Sequence, residues 1–239
     1  MAARRCLYSA AMTQMDPPSS EAATAARLRD DLRRESASFR KKSSRHRLRT
    51  RGAIYCAFST PRFSVARDEA QRDAGRRLQR FGILADQVRG KRILDLGCNN
   101  GAMLFQLSNF APAYGLGIEY DAEKVELARR IANFAGIENL EFRVGDLDRM
   151  QPADVGSPFD IVMCLAIEAH VKDPAHLYEL LAGVTRGRLY FEANSSTHPD
   201  DVRAKLQQVG FSEIVHLGVC DDDIVPRNNR RPLMSAVMA

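Results

Sequence analysis

The stretch "KRILDLGCNNGAMLFQL", Lys91 to Leu107, sets an aspartate inside an apolar run, follows it with glycines at 97 and 101, and then starts a new apolar period. Such a run before a glycine loop reads as strand, turn and helix. In an open parallel sheet that turn lies at the carboxyl edge of the strands, where ligands bind near the point at which strand order reverses. The strand Arg92–Leu96 carries Asp95 to that edge. Gly97 and Gly101 leave backbone bare where a Cβ would obstruct a ligand, and a helix from Ala102 adds free N–H groups.

Outward from this stretch the same alternation recurs. Strands are expected at Ala113–Glu119, Leu140–Val144, Phe159–Leu165 and Arg188–Glu192, with helices at Ala102–Phe110, Ala122–Ala135 and Pro174–Ala182 between them. Alternation of this kind implies parallel strands joined by right-handed crossovers, an α/β fold. A helix at Pro199–Gln208, a strand at Glu213–Leu217 and a last strand at Leu233–Met238 complete it. Upstream, "SVARDEAQRDAGRRLQRFG" places Ala66, Ala70, Ala74 and Leu78 at four-residue spacing before Gly82, which predicts a helix over 64–82.

The 239 residues suit one domain with a tail. Their formal net charge of +5 is unevenly spread: residues 1–52 hold 13 Lys/Arg against 5 Asp/Glu, the remainder 22 against 25. Residues 1–52 therefore read as a basic, flexible N-terminal arm, in which "ATAARLRDDLRRESASF" has helix-forming character and "RKKSSRHRLRTR" is a charge run with little to bury. Residues 53–239 read as the folded domain. Its slightly acidic balance disfavours nucleic acid as a partner. Five scattered cysteines without a CxxC pair point away from disulfides and zinc, and towards a reducing, cytoplasmic setting. The longest apolar run, Ile161 to Ile167, is too short to span a bilayer, and "MAARRCLYSAAMTQMDPP" lacks a signal-peptide core, with Met12 or Met15 as alternative starts.

A dinucleotide site needs GxGxxG and a P-loop needs GK[ST]; neither is present. The carboxylates say more. Glu119 ends "YGLGIEYD", 24 residues after Asp95, where an acid accepts from both hydroxyls of a ribose. Asp146, in "FRVGDLD", follows the next strand and suits an exocyclic amine such as that of adenine, with the Leu147 N–H facing the ring. Asp95 is left for a cationic end group. Ribose, adenine and a positive tail together describe S-adenosylmethionine.

"LDLGCNNG", "GIEYD", "VGDLD" and "FDIVMCLAIEAHVKDP" resemble the class I S-adenosylmethionine-dependent methyltransferases over about residues 64–238. The resemblance implies a Rossmann-like, mostly parallel sheet of seven strands, the last antiparallel, with helices on both faces. It implies cofactor contacts at Asp95, Gly97, Asn99, Gly101, Glu119, Asp146 and Leu147, with Cys164 or Leu165 near the sulfonium. Asn99 replaces the middle glycine of the family's first motif and adds a side-chain contact to the methionine end.

Methyl transfer to a hydroxyl needs a base, and the loops after the fourth and fifth strands supply His170, Glu168 and Glu192, with Asn194 beside the last. "CDDDIVPRNNRRP", Cys220 to Pro232, has three acids but no neighbouring histidine, so a metal is not expected. Asp222, Asn228, Asn229 and Arg230 are assigned instead to an acceptor pocket. The runs "FSTPRFSVARDEAQRDAGRR", "LYFEANSS" and "DDDIVPRNNRRPL" resemble sugar-modifying methyltransferases, more narrowly the rhizobial nodulation enzymes that 2-O-methylate fucose on lipo-chitooligosaccharide signals. RNA methylation is the alternative, from the basic arm and the GCNxG motif, and cofactor binding without transfer is a third reading.

Overall fold

The computed structural model describes residues 20–41 and 53–239. Helices are α1 (Ser20–Lys41), α2 (Ala74–Phe81), α3 (Ala85–Val88), α4 (Ala102–Ser108), α5 (Ala122–Ala135), α6 (Pro152–Val155), α7 (Pro174–Val184) and α8 (Pro199–Gln208). Strands are β1 (Ile54–Ser59), β2 (Ser64–Val65), β3 (Ala70–Asp73), β4 (Arg92–Leu96), β5 (Tyr114–Glu119), β6 (Leu140–Val144), β7 (Phe159–Leu165), β8 (Thr185–Glu192), β9 (Phe211–Cys220) and β10 (Arg231–Met238). Seven of them form one sheet in the order β6-β5-β4-β7-β8-β10-β9. β4, β5, β6, β7 and β8 pair in parallel, and β10 runs antiparallel to both β8 and β9. After β4 the chain goes to β5 on one side and later to β7 on the other, so strand order reverses at the exit of β4, which is where Asp95 emerges. Two apolar layers cover the sheet. One holds Ile93, Leu104, Phe105 and Phe142, the other Leu94, Leu96, Leu177 and Phe191.

The expected helix over 64–82 is corrected. Ser64–Val65 and Ala70–Asp73 are strands of a second sheet, ordered β2-β1-β3, Arg67–Glu69 is one 3-10 turn, and only Ala74–Phe81 is α-helical. Asp73 starts that helix by accepting from Arg76 N at 2.9 Å, and Gly82 (φ 68) ends it. The alanine spacing matches a helix, but Ala70, Gln71 and Arg72 are all buried; β1 pairs with them on one side, and Gln71 O accepts from Ile224 N at 3.1 Å. Strand β1 was not foreseen. It docks on the β4–α4 unit through Phe58, whose ring lies 5.0 Å from that of Phe105, itself 5.4 Å from Phe142. Gln106 and Asn109 of α4 bond the Ser59 backbone at 3.0 and 2.7 Å.

Within the expected arm, α1 lies against the fold. Leu28 and Leu32 are 2% and 0% exposed and belong to the first core layer. Arg33 meets Glu69 at 2.7 Å and Asp31 meets Arg130 of α5 at 2.6 Å. The leading residues 1–19 and the charge run after Lys41, through residue 52, lie outside the described residues. No helix among the described residues is long and apolar enough to cross a membrane.

Candidate active site

The loop from Gly97 to Gly101 is built by backbone bonds to the neighbouring strand. Gly97 N and Cys98 N donate to Ile118 O at 2.8 and 3.0 Å, and Asn99 N donates to Glu119 Oε2 at 2.9 Å. Gly97, Asn99 and Gly101 all have positive φ, at 73°, 53° and 83°, and asparagine is among the few residues with side chains that tolerate this. The glycines also admit close packing. A Cβ on Gly97 would overlap the Ile167 side chain, and one on Gly101 would lie 2.6 Å from Phe142 Cε1. At both positions a protein side chain packs where a Cβ would stand. Asn99 Oδ1 accepts from Asn100 N at 2.8 Å, so half of its amide braces the loop.

Asp95 is 2% exposed, and its carboxyl makes no hydrogen bond among the described residues. Burial pushes its carboxyl up to about 7; Arg77 draws it down and the Glu119 charge adds to the rise. Glu119 is half-buried, and its second oxygen accepts from Asp121 N at 3.1 Å. Gly145 N donates to Glu119 O at 2.9 Å, which fastens the next turn, where half-buried Asp146 accepts from Asp148 N at 3.1 Å. Leu147 packs on the second core layer. Cys164 and Leu165 face the core from β7, and burial raises the Cys164 thiol well beyond its ordinary range. The next residue, Ala166, has a φ of 61° at the edge. Fully buried Asn100 was missed from sequence. Neither atom of its amide has a partner, and no motif distinguishes it from its neighbour Asn99.

Of the proposed bases, His170 is exposed at the exit of β7, its N–H donates to Ile167 O at 2.7 Å, and its imidazole is unpaired among the described residues. Glu168 is buried, bonded to Lys205 Nζ at 2.5 Å and Tyr178 Oη at 3.3 Å. Glu192 is corrected. It is 0% exposed and meets Arg72 Nη2 at 3.0 Å, Arg231 Nη1 at 3.2 Å, and Arg77 Nη2. Burial works to raise its carboxyl, but Arg77, Arg72 and Arg231 outweigh it and hold it at about 2. A carboxylate so stabilised is a poor proton acceptor near neutrality.

Most of the expected acceptor pocket is corrected too. Asp222 is buried, accepting from Arg72 Nη2 and from Asp73 N, each at 2.9 Å. Asn228 Nδ2 donates to Asp223 Oδ2 at 3.0 Å, and Asn229 both accepts from and donates to the Asp223 backbone at 2.9 Å. These residues fasten the loop to the domain. Asn194, half-buried just after β8, accepts at its carbonyl from Thr197 N at 3.0 Å, and Arg230 is exposed. No group of three or more His, Cys, Asp and Glu among the described residues is arranged to hold a metal.

A family model for the methyltransferase domain matches residues 87–216, over half of the chain. The chain belongs to the class I S-adenosylmethionine-dependent methyltransferases. Curated relatives of this methyltransferase include the ubiquinone biosynthesis O-methyltransferase of Neisseria meningitidis serogroup C, 31% identical over 109 residues covering 44% of each chain. Another is the tRNA U34 carboxymethyltransferase of Desulfotalea psychrophila, 30% identical over 44% of this chain and 32% of that one. The chain thus spans less than half the length of these relatives. Among solved structures, the N-terminal domain of EvdMO1 in the presence of SAH and D-fucose aligns with a TM-score of 0.60 at 21% identity, over 87% of this chain and 97% of that one. Magnesium protoporphyrin IX methyltransferase from Synechocystis PCC 6803 with bound SAM aligns at 0.56 and 19%, over 69% and 80%. At these identities the likeness is one of fold.

The residues at the strand ends fit the cofactor. An acid buried without a hydrogen bond suits a cationic α-amino group. The orphaned amide of Asn100 lies in the same loop, and each oxygen of Glu119 keeps a lone pair after its one backbone bond.

Proposed function

We propose that this methyltransferase O-methylates a sugar hydroxyl. The carrying observation is the composition of the carboxyl edge past β8. Asn194, Ser195, Thr197 and Arg230 gather there, and the one large aromatic exposed among the described residues, Tyr120, stands at the far side beyond β5. Hydroxyl and amide groups without a stacking platform suit a polyhydroxylated acceptor better than a flat phenol or a nucleobase. The narrower reading is the 2-hydroxyl of fucose on a lipo-chitooligosaccharide nodulation signal. It is supported by the resemblance of "LYFEANSS" and "DDDIVPRNNRRPL" to such enzymes, and by the fold shared with a domain solved in the presence of D-fucose.

Bound S-adenosylmethionine supplies an electrophilic methyl group. In this reading Asp95 holds the amino end, Glu119 the ribose and Asp146 the adenine amine. His170 Nε2 or Nδ1 takes the proton of the acceptor hydroxyl as that oxygen gains the methyl group, and Asn194 orients the sugar. The base assignment follows from His170 being unpaired beside Ile167, the residue packed on Gly97.

The test offers labelled S-adenosylmethionine with a fucosylated chitooligosaccharide, a mixed RNA pool and a simple phenol. Label on the glycan is expected, with His170→Ala lowering turnover by about 10²–10⁴ while cofactor affinity stays within twofold. Label on RNA alone overturns the sugar reading, and full turnover in His170→Ala overturns the base.

A further inference from the structure

The polar residues past β8 line a depression of about 450 Å³, formed by Ser195, Thr197, His216, Val219, Asn229, Arg230 and three prolines. Its charge is unlike that of its surroundings. Residues 53–239 are acidic on balance, yet no carboxylate is among the described residues lining it, and Asp200 and Asp201 in the first turn of α8 stand outside.

Among the described residues, the neighbouring Arg72, Arg76, Arg77, Arg80 and Arg231 are each paired with an acid. Arg72, Arg77 and Arg231 share Glu192, Arg72 also meets Asp222, and Arg76 and Arg80 share Asp221. Arg230 alone of this group makes no ion pair and no side-chain hydrogen bond among the described residues. Its backbone is nevertheless fixed: φ is 66°, its N–H donates to Cys220 O at 2.7 Å, and both ends of the preceding Asn229 amide are tied to Asp223. A guanidinium without a partner among the described residues, on a tied turn and lining the same depression as two hydroxyls and an imidazole, matches the fork geometry and acceptor-only oxygens of a phosphate or carboxylate.

We infer that this depression is a subsite for an oxyanion on the acceptor, a phosphate ester or a carboxylate, with Arg230 as its anchor and Ser195, Thr197 and His216 as further donors. The inference rests on the sugar reading and makes the acceptor an anionic saccharide. The spacing agrees. The depression runs from the loop after β8 across β10 to β9, one to three strands from β7, hence roughly 5–15 Å from the exit that carries His170. One to three sugar rings span that gap.

The experiment titrates the full chain with methyl phosphate, with glucuronic acid and with fucose, following the imidazole proton resonance of His216, assigned by its loss in His216→Gln. One or both anions should shift the resonance saturably, and fucose at equal concentration should not. The anion that acts identifies the source of the charge. Arg230→Asn suits the test because asparagine accepts the left-handed backbone. It should weaken the anion at least tenfold and leave the thermal midpoint in place. No saturable shift from either anion, or undiminished binding in Arg230→Asn, overturns the subsite. Anion binding by a protein that methylates no sugar would leave the subsite standing and remove the sugar reading. Methylation of neutral glycans by a protein blind to both anions would do the reverse.

Discussion

Two buried carboxyls near the edge of the sheet illustrate opposite outcomes of the same burial. Glu192 is surrounded by three guanidiniums and stays ionised; Asp95 has no bonded cation and is pushed to about 7. Their linkage to stability has opposite sign. The folded pKa of Asp95 lies above its unfolded value, so its contribution is full below about pH 4 and is lost as pH rises through about 7. The folded pKa of Glu192 is depressed, so its contribution is present above about pH 4.5 and is lost as pH falls through about 2. Denaturant titrations of wild type and Asp95→Asn should therefore diverge between about pH 4 and pH 7, the variant gaining on the wild type as pH rises. A cationic ligand end favours ionised Asp95, so S-adenosylmethionine should release up to about one proton on binding near pH 6. Calorimetry in two buffers of different ionisation enthalpy measures this. An equal release in Asp95→Asn would show that the proton comes from elsewhere.

At the scale of elements, the first motif is held by packing as much as by backbone freedom. Gly97→Ala meets both a φ of 73° and the Ile167 side chain, and should cost about 1–3 kcal/mol. Ile167→Val in the same chain should return part of the packing loss but not the backbone strain, so a double-mutant cycle separates the two; strict additivity would mean that the side chains do not meet. Helix α1 belongs to this scale as well. Removing residues 1–52 takes away Leu28, Leu32 and the pairs to Glu69 and Arg130. Leu28→Ala and Leu32→Ala should each cost about 2–5 kcal/mol. Thermal unfolding of the truncated chain at the wild-type midpoint would show that α1 is an appendage.

Across the whole molecule, the buried charge cluster joins the small sheet to the large one. Arg72 on β3 and Arg77 on α2 converge with Arg231 on Glu192 at the end of β8, and Arg72 also reaches Asp222 in the loop after β9. Removing one partner leaves buried charge uncompensated, so Glu192→Gln should cost about 3–5 kcal/mol. Its turnover should follow the folded fraction, with an unchanged pH–rate profile; loss of one limb of that profile would restore Glu192 as a base. The large sheet was legible in the sequence because each strand is a short apolar run punctuated by Gly, Asp or Pro. β4, β6, β7, α5 and α8 lie where their local pattern puts them. The acids Asp95, Glu119 and Asp146 were legible for the same reason, since strand ends fix their position. The segment 64–82 was not, because its alanine spacing fits a helix and its strand form is stabilised only by β1 and by acids about 120 to 150 residues away. Nor could sequence divide the carboxylates and arginines into those that bind and those that fasten. Local pattern determined which residues reach the edge of the sheet. Tertiary contact alone decided that Glu192, Asp222, Asn228 and Asn229 are bonded within the fold and that the side chains of His170 and Arg230 have no partner among the described residues, because a side chain's availability depends on partners that the chain brings to it from elsewhere.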